Sequence, residues 1–326
     1  MTMEPAIEIL NLTKEFGKIK AVDNLSLKIE HGEVFGLLGP NGAGKTTILM
    51  MLTTLVNPTD GTAKVNGFDI KKEADKVRKS IGIVFQDPSS DDILTGYENL
   101  KLHAMLYGIP DKTVEEKITE VLRLVDLEDR KKELLKNYSG GMRRRLEIAR
   151  GLMHQPAVLF LDEPTLGLDP QTREHIWEYI RKLASEKKMT IILTTHYMEE
   201  ADLLCNRIAI IDKGKIVALD TPGNLKKIIG GDIIRIKSPA PNIEAIKKLD
   251  FVKKVEMVDK TVSITVEGAR KHLPKILETI GKVDSVYVRE PTLNDVFLHY
   301  TGQEIRDTEA EGGWVQRAMN VRTRGR

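Results

Sequence analysis

Nine consecutive residues, Gly39-Pro40-Asn41-Gly42-Ala43-Gly44-Lys45-Thr46-Thr47, follow the apolar run Val34–Leu38 and lead into a second apolar stretch. They satisfy G-x-x-x-x-G-K-[ST] in the strand, loop, helix setting that the pattern requires. Glycines there let successive backbone N–H groups turn inward around the β- and γ-phosphates of a nucleotide, and the N-terminus of the following helix adds partial positive charge. Lys45, read as an exposed loop cation, can bridge the phosphates; the Thr46 hydroxyl suits a Mg²⁺ ion and Thr47 can donate to the α-phosphate. Downstream, the apolar run in AVLFLDEP ends in two carboxylates. Asp162, at the strand's carboxyl end, can hold the Mg²⁺ shell opposite Thr46, and Glu163 is a candidate base that polarises a water for in-line attack on phosphorus. Taken alone, such a pair could as well cap the next helix; the phosphate loop turns the reading toward chemistry. A third element, Tyr138-Ser139-Gly140-Gly141-Met142, precedes the helical run RRRLEIARGLM and makes a second anion-binding helix start. One nucleotide does not need two. The surplus suggests that the second serves a phosphate held by another copy of the chain, although a plain N-cap explains Ser139 equally well by itself.

These groups need rigid elements to hold them. Ala6–Leu12 and Leu25–Ile29 alternate apolar with polar residues, which predicts half-buried strands and an antiparallel edge. Val34–Leu38, Ile81–Phe85, Val158–Leu161 and Thr190–Thr194 are compact apolar runs separated by helical stretches, as in a parallel sheet covered on both faces. A mainly helical insert is predicted over about residues 88–155, with a helix beginning at Thr113, where Thr113 and Glu116 form a capping-box pattern and Val114, Ile118, Val121, Leu122 and Val125 recur at helical spacing. Pro222, Gly223, Gly230 and Gly231 punctuate the chain and place a domain boundary between residues 229 and 230. Beyond it the pattern reads β-α-β-β-α-β, the split-βαβ, ferredoxin-like order, with Leu273, Ile276, Leu277 and Ile280 as the inward stripe of the second helix. Residues 303–326 are polar, end in a basic stretch from Arg317, and are expected to be disordered.

The composition bounds the rest. The 326 residues, 41% hydrophobic and 30% charged, suffice for two cores. Fifty basic against 48 acidic residues leave a formal charge of +2, so no global field draws the chain to nucleic acid or anionic lipid. A single cysteine, Cys205, excludes an intrachain disulfide and a cysteine-based zinc site and points to a reducing compartment. The longest uncharged stretch, Thr46–Thr59, contains Asn57 and Pro58 and falls short of the roughly 18 apolar residues a membrane span needs. The start, MTMEPAIEIL, does not read as a secretory signal.

Taken in order, the motifs of the first 220 residues resemble those of the nucleotide-binding subunit of an ABC transporter. In that family's terms the Walker A loop is Gly39 to Thr47, the Q-loop glutamine is Gln86 after IGIVF, the signature is Tyr138 to Met142, and the Walker B pair is Asp162 and Glu163. The D-loop is GLDP with Asp169, and the switch histidine is His196 after TIILTT. Phe16 sits where the family places an aromatic that stacks on adenine; simple core packing would also account for it. The signature departs from the usual LSGGQ: it reads YSGGM, and Met142 cannot supply the glutamine's amide hydrogen bonds. SGGMRRRLEIARGL together with PTLNDVFLHYTG is most similar to the daunorubicin-resistance type, whose subunits drive separate permeases of the ABC-2 exporter class.

The resemblance, which covers Ile7 to Gly302, implies an α/β P-loop NTPase cassette with an antiparallel β subdomain and a helical insert, followed by a small α+β accessory or dimerisation domain. It implies ATP and Mg²⁺ (held by Thr46, Gln86 and Asp162) as cofactors, Glu163 and His196 as catalytic residues, and a head-to-tail homodimer in which each ATP is clamped between one copy's Walker A loop and the other's signature. An ABC-2 type permease is the implied membrane partner, and the implied location is the cytoplasmic face of the membrane. A competing class is a soluble ATPase of the same family acting on nucleic acid or ribosomes. Such proteins usually join two cassettes in one chain or carry long coiled coils, and neither is present. The triplet Arg143 to Arg145 and the basic tail are its support, and an exposed helix face explains the triplet better, so no nucleic acid is expected. A third reading makes the C-terminal domain a ligand sensor, for which there is no recognisable motif.

Overall fold

The computed structural model describes residues 4–258 and 261–302. The stretch expected to be disordered, 303–326, lies outside the described residues. The chain divides into two compact units between Leu219 and Asp220.

In the first unit the alternating segments form a long antiparallel hairpin, β1 (Ile7–Phe16) and β2 (Ile19–Ile29), whose inward residues Ile7, Ile9, Leu12, Leu25, Leu27 and Ile29 are buried. The hairpin leads to β3 (Val34–Leu38) and helix α1 (Lys45–Leu52), followed by β4 (Asp60–Val65), β5 (Phe68–Asp69), α2 (Ala74–Ser80) and β6 (Ile81–Val84). The helical insert contributes α3 (Gly96–Leu106), α4 (Asp111–Leu124) and α5 (Gly140–Leu152). The chain then returns through β7 (Val158–Asp162), α6 (Pro170–Lys187), β8 (Thr190–Thr195), α7 (Met198–Leu204), β9 (Arg207–Asp212) and β10 (Lys215–Asp220). Two sheets result: β2-β1-β4-β5, antiparallel, and β10-β9-β3-β8-β7-β6, in which β9 to β6 run parallel. Every residue of β3, β7 and β8 is buried, which is why these runs are mostly apolar; the polar residues among them are Asp162 at the end of β7 and Thr190, Thr194 and Thr195 of β8. Their shared core gathers Phe35, Ile48, Leu49, Met51, Phe160 and Ile192 with the inner face of the antiparallel sheet.

The order β3-β8-β7-β6 brings the loops after those four strands to one edge of the sheet, where open α/β folds hold ligands. β4, β5, β9 and β10 are not among the strands that the sequence pattern predicts.

The expected capping box at Thr113 is not formed. Helix α4 begins two residues earlier, at Asp111, with Pro110 as its N-cap, and the Thr113 hydroxyl instead donates back to the Pro110 carbonyl at 2.9 Å. The reciprocal box lies at α3, where Thr95 and Glu98 satisfy each other's backbone N–H.

The second unit holds α8 (Pro222–Lys227), β11 (Asp232–Lys237), α9 (Ile243–Lys247), β12 (Val252–Val258), β13 (Thr261–Val266), α10 (Ala269–Ile280), β14 (Ser285–Arg289) and α11 (Leu293–Thr301). Its antiparallel sheet runs β12-β13-β11-β14, the ferredoxin-like order. Ile276 and Ile280 of α10 are fully buried against Ile234, Ile236, Val262 and Ile264, with Leu273 and Leu277 packed at the margin. The division precedes α8, ahead of the expected break at residue 229, because α8 buries Leu225 and packs on α11 within this unit.

Candidate functional site

The phosphate loop is shaped by close approach. A Cβ on Gly39 would stand 2.3 Å from the Ile211 carbonyl oxygen, and one on Gly44, which has φ 107°, 2.4 Å from that of Ala21. Only glycine meets both demands. Pro40, Asn41, Gly42 and Ala43 form the bend: the Ala43 N–H donates to the Pro40 carbonyl, Gly42 has φ 83°, and a Cβ there would meet nothing within 4 Å. Thr46 and Thr47 sit half-buried in the first turn of α1. Lys45 corrects the sequence reading. It is 4% exposed rather than a free loop cation, and its ammonium donates to the carbonyls of Gly39 at 2.7 Å and Pro40 at 3.1 Å. The loop wraps its own charge.

That ammonium also stands 3.6 Å from Glu163 Oε1, and the same oxygen lies 3.3 Å from His196 Nδ1. Glu163 occupies the left-handed region at φ 47°, a conformation that costs a non-glycine residue about 1–2 kcal/mol. Its N–H donates to both the carbonyl and the hydroxyl oxygen of Thr194, at 3.1 and 3.0 Å, which holds the turn. Burial alone would raise the Glu163 carboxyl. The His196 ring and the Lys45 ammonium outweigh it and hold the group below the ordinary glutamate range. Asp162 is shifted the other way: burial, with Glu163 beside it, raises its carboxyl, although a hydroxyl hydrogen bond from Thr194 opposes the rise. The Thr46 hydroxyl donates to Asp162 Oδ1 at 3.3 Å. Two hard oxygen donors from the loop and the facing strand end suit a Mg²⁺ ion, and a glycine loop around a buried ammonium suits a polyphosphate.

The other expected residues fall into two groups. Gln86 is half-buried just beyond β6, beside β7, and Phe16 is half-buried at the hairpin end with the Lys14 ammonium 5.0 Å from its ring centroid. Asp169 is exposed and caps α6, accepting from the Thr172 N–H at 3.0 Å. Ser139 caps α5, and its hydroxyl accepts from Met142 N–H at 3.3 Å. Of the five signature residues, Ser139 and Gly140 are exposed and Met142 is half-exposed. Tyr138 and Gly141 are not presented. Tyr138 is 5% exposed and its hydroxyl donates to the Arg130 carbonyl, while a Cβ on Gly141 would meet the Thr172 side chain at 2.3 Å.

Residues 22–166 match the family model described as ABC transporter, and residues 221–301 match that of the ATP-binding protein DrrA1-3-like C-terminal domain. The chain is 38% identical to the daunorubicin resistance ATP-binding protein DrrA2 of Streptomyces coeruleorubidus, covering 94% of this chain and 98% of that one. It is 39% identical to the linearmycin resistance ATP-binding protein LnrL of Bacillus subtilis strain 168, with coverages of 91% and 98%. The chain belongs to the ABC transporter ATP-binding family. Its fold matches the ATP-binding cassette MJ0796, solved as a dimer bound to ADP and Pi, at a TM-score of 0.60 and 29% identity over 66% of this chain and 98% of that one. The chain is thus an ABC ATPase.

Four buried residues in or near the site of this ABC cassette were not assigned to it from the sequence. Thr194 bonds both Asp162 and the Glu163 backbone. Arg144, placed with its neighbours on an exposed helix face, is 7% exposed and reaches into the sheet edge; Arg143 and Arg145 are half-buried and paired with Asp92 and Asp126. A run of three arginines gives no hint that the middle one turns inward. Glu147, one turn on, is 1% exposed and accepts from Ser90 N–H at 2.9 Å and Ser89 N–H at 3.2 Å, pinning the segment after Gln86 to α5. Glu200 is fully buried and accepts from the Thr165 hydroxyl at 2.8 Å and Trp177 Nε1 at 2.9 Å. For Glu147 the spacing of E and R in RRRLEIAR was the available signal.

Proposed function

We propose that this ATPase powers export of a cargo through a separate membrane permease of the ABC-2 class, working as a head-to-tail pair at the cytoplasmic face of the membrane. The observation that carries the reading is the convergence of Lys45 and His196 on one carboxylate oxygen of Glu163, beside Asp162 and Thr46. Lys45 and the loop N–H groups take the β- and γ-phosphates of ATP. Glu163, held ionised by its neighbours, accepts a proton from the attacking water, and His196 contacts the γ-phosphate from beside it. Thr46, Gln86 and Asp162 would hold Mg²⁺, which supplies neutralisation of the charge on the phosphate oxygens. Ser139 and Gly140, exposed at the start of α5, close the partner copy's site, with Met142 at its margin and Asp169 at the neighbouring turn. Phe16 stacks on the adenine.

The dimeric MJ0796 cassette supports the paired arrangement, and the resistance relatives support export. Among the described residues no helix is long and apolar enough to cross a membrane, consistent with a separate permease. Ile93, Leu102, Met105 and Leu106 of the helical insert are 47–76% exposed and offer that permease an apolar contact. Arg143 and Arg145 pair with Asp92 and Asp126 and Arg144 is buried, so this triplet lends the nucleic-acid reading no support. Purification of the full chain from detergent-solubilised membranes tests the reading: a polytopic membrane protein should accompany it and stimulate its ATPase. Recovery with ribosomes or DNA instead would contradict it.

A further inference from the structure

Arg144 is the one residue of α5 whose side chain ends among the catalytic backbone. Its guanidinium donates through Nε to the Pro164 carbonyl at 2.7 Å, through Nη2 to the Asp162 carbonyl at 2.9 Å, and through Nη1 to the Phe85 carbonyl. The first two carbonyls flank Glu163 on either side. The third belongs to the residue before Gln86. No ion pair involving Arg144 occurs among the described residues; Glu147, Asp162, Glu200 and Glu163 balance its charge at longer range. A buried guanidinium bonded to three main-chain oxygens is not what core packing favours, since an apolar side chain of similar size is as stable or more so. What a guanidinium offers is a rigid planar fork that spans several acceptors at once.

We infer that Arg144 is a positioning residue for hydrolysis, gripping the backbone on both sides of Glu163 so that the left-handed turn carrying the carboxylate holds only while α5 is seated. Because Ser139 caps the same helix, the element presented to a second copy and the clamp on this chain's own base are one rigid body. The inference rests on the reading of Glu163 as the base. Binding of nucleotide does not pass through Arg144, which touches nothing in the phosphate loop among the hydrogen bonds of the described residues.

Steady-state and single-turnover hydrolysis by the full-length chain with Mg²⁺ and ATP tests it. Arg144→Lys keeps the charge and loses the fork; kcat should fall at least about ten-fold while KM and the affinity for ATP stay within about two-fold. Arg144→Gln serves as the second variant should the lysine chain fail to fold, with the same split expected. In a Glu163→Gln background, where the base is already gone, adding Arg144→Lys should cost less than about two-fold more. Wild-type kcat in a folded Arg144 variant, or losses that multiply in full in the double variant, would overturn the inference while leaving Glu163 as base. Wild-type hydrolysis by Glu163→Gln alone would instead remove the base reading beneath it.

Discussion

In residues 4–219, Lys45, Arg144, Glu147, Asp162, Glu163, His196 and Glu200 are all less than 9% exposed, whereas in residues 220–302 the buried polar side chains are Ser238 and Thr265. Both units bury an apolar core of ordinary kind, but only the first draws charge into it. Removing charge from water is costly unless partners are at hand. Each of these groups has them: carbonyls for Lys45 and Arg144, N–H groups for Glu147, a hydroxyl and an indole for Glu200. Lys45, Asp162, Glu163 and His196 gather at the carboxyl ends of β3, β7 and β8, where the phosphate chemistry is, while Glu33 is buried at the opposite end of β3 against Arg207. The second unit shows what the fold alone requires, an amphipathic helix such as α10 laid on an antiparallel sheet.

The largest effect that could break this contrast lies in the phosphate loop. Lys45→Ala should lower ATP hydrolysis by about a hundred- to a thousand-fold, the range for removing one preorganised charge from a developing transition state. Hydrolysis assays of the purified variant check it, and activity near wild type would empty the loop of its role. A smaller change sharpens the other side. Ile276→Val deletes one buried methyl group from the second unit and should destabilise it by about 0.5–1.5 kcal/mol in denaturant unfolding while kcat stays within about two-fold. A parallel loss of hydrolysis would show that the charge-free unit is coupled to the chemistry.

The smallest effect concerns Glu200. Burial raises its carboxyl above the ordinary value of 4.5, so the folded chain binds the proton more tightly than the unfolded one. The stability this lends is complete below that ordinary value and is lost as pH rises through the higher folded value. Glutamine keeps an acceptor for Thr165 and Trp177 and cannot ionise. Glu200→Gln should therefore flatten the decline in melting temperature above pH 4.5 and match or exceed the wild type at pH 7; a variant less stable at neutral pH would mean that the ionised form is the one the fold prefers.

What could be read from the sequence follows the same division. Gly39, Gly44, Lys45, Thr46, Asp162 and Glu163 were legible because phosphate and Mg²⁺ demand those residue types at those spacings, and α10 was legible because its stripe has the period of a helix. Arg144 and Glu200 were not, because their partners are a main-chain carbonyl or a side chain many residues distant, and composition does not reveal which arginine of three turns inward. The Thr113 box failed for a local reason: Pro110 starts the helix earlier, leaving Thr113 inside the first turn. Helix α11 carries a capping box between Thr292 and Asp295 in the PTLNDVFLHYTG segment, the stretch in which the family resemblance also lies.

The central claim, that Glu163 is the base of a site which another copy's Ser139 completes, meets its most direct test in light scattering. Glu163→Gln keeps size and hydrogen bonding but cannot take the proton, so with ATP and Mg²⁺ the chain should accumulate as a dimer that ADP does not support, and adding Ser139→Arg should return it to monomer. A Glu163→Gln chain that hydrolyses ATP normally, or an ATP-bound dimer indifferent to Ser139→Arg, would contradict the account.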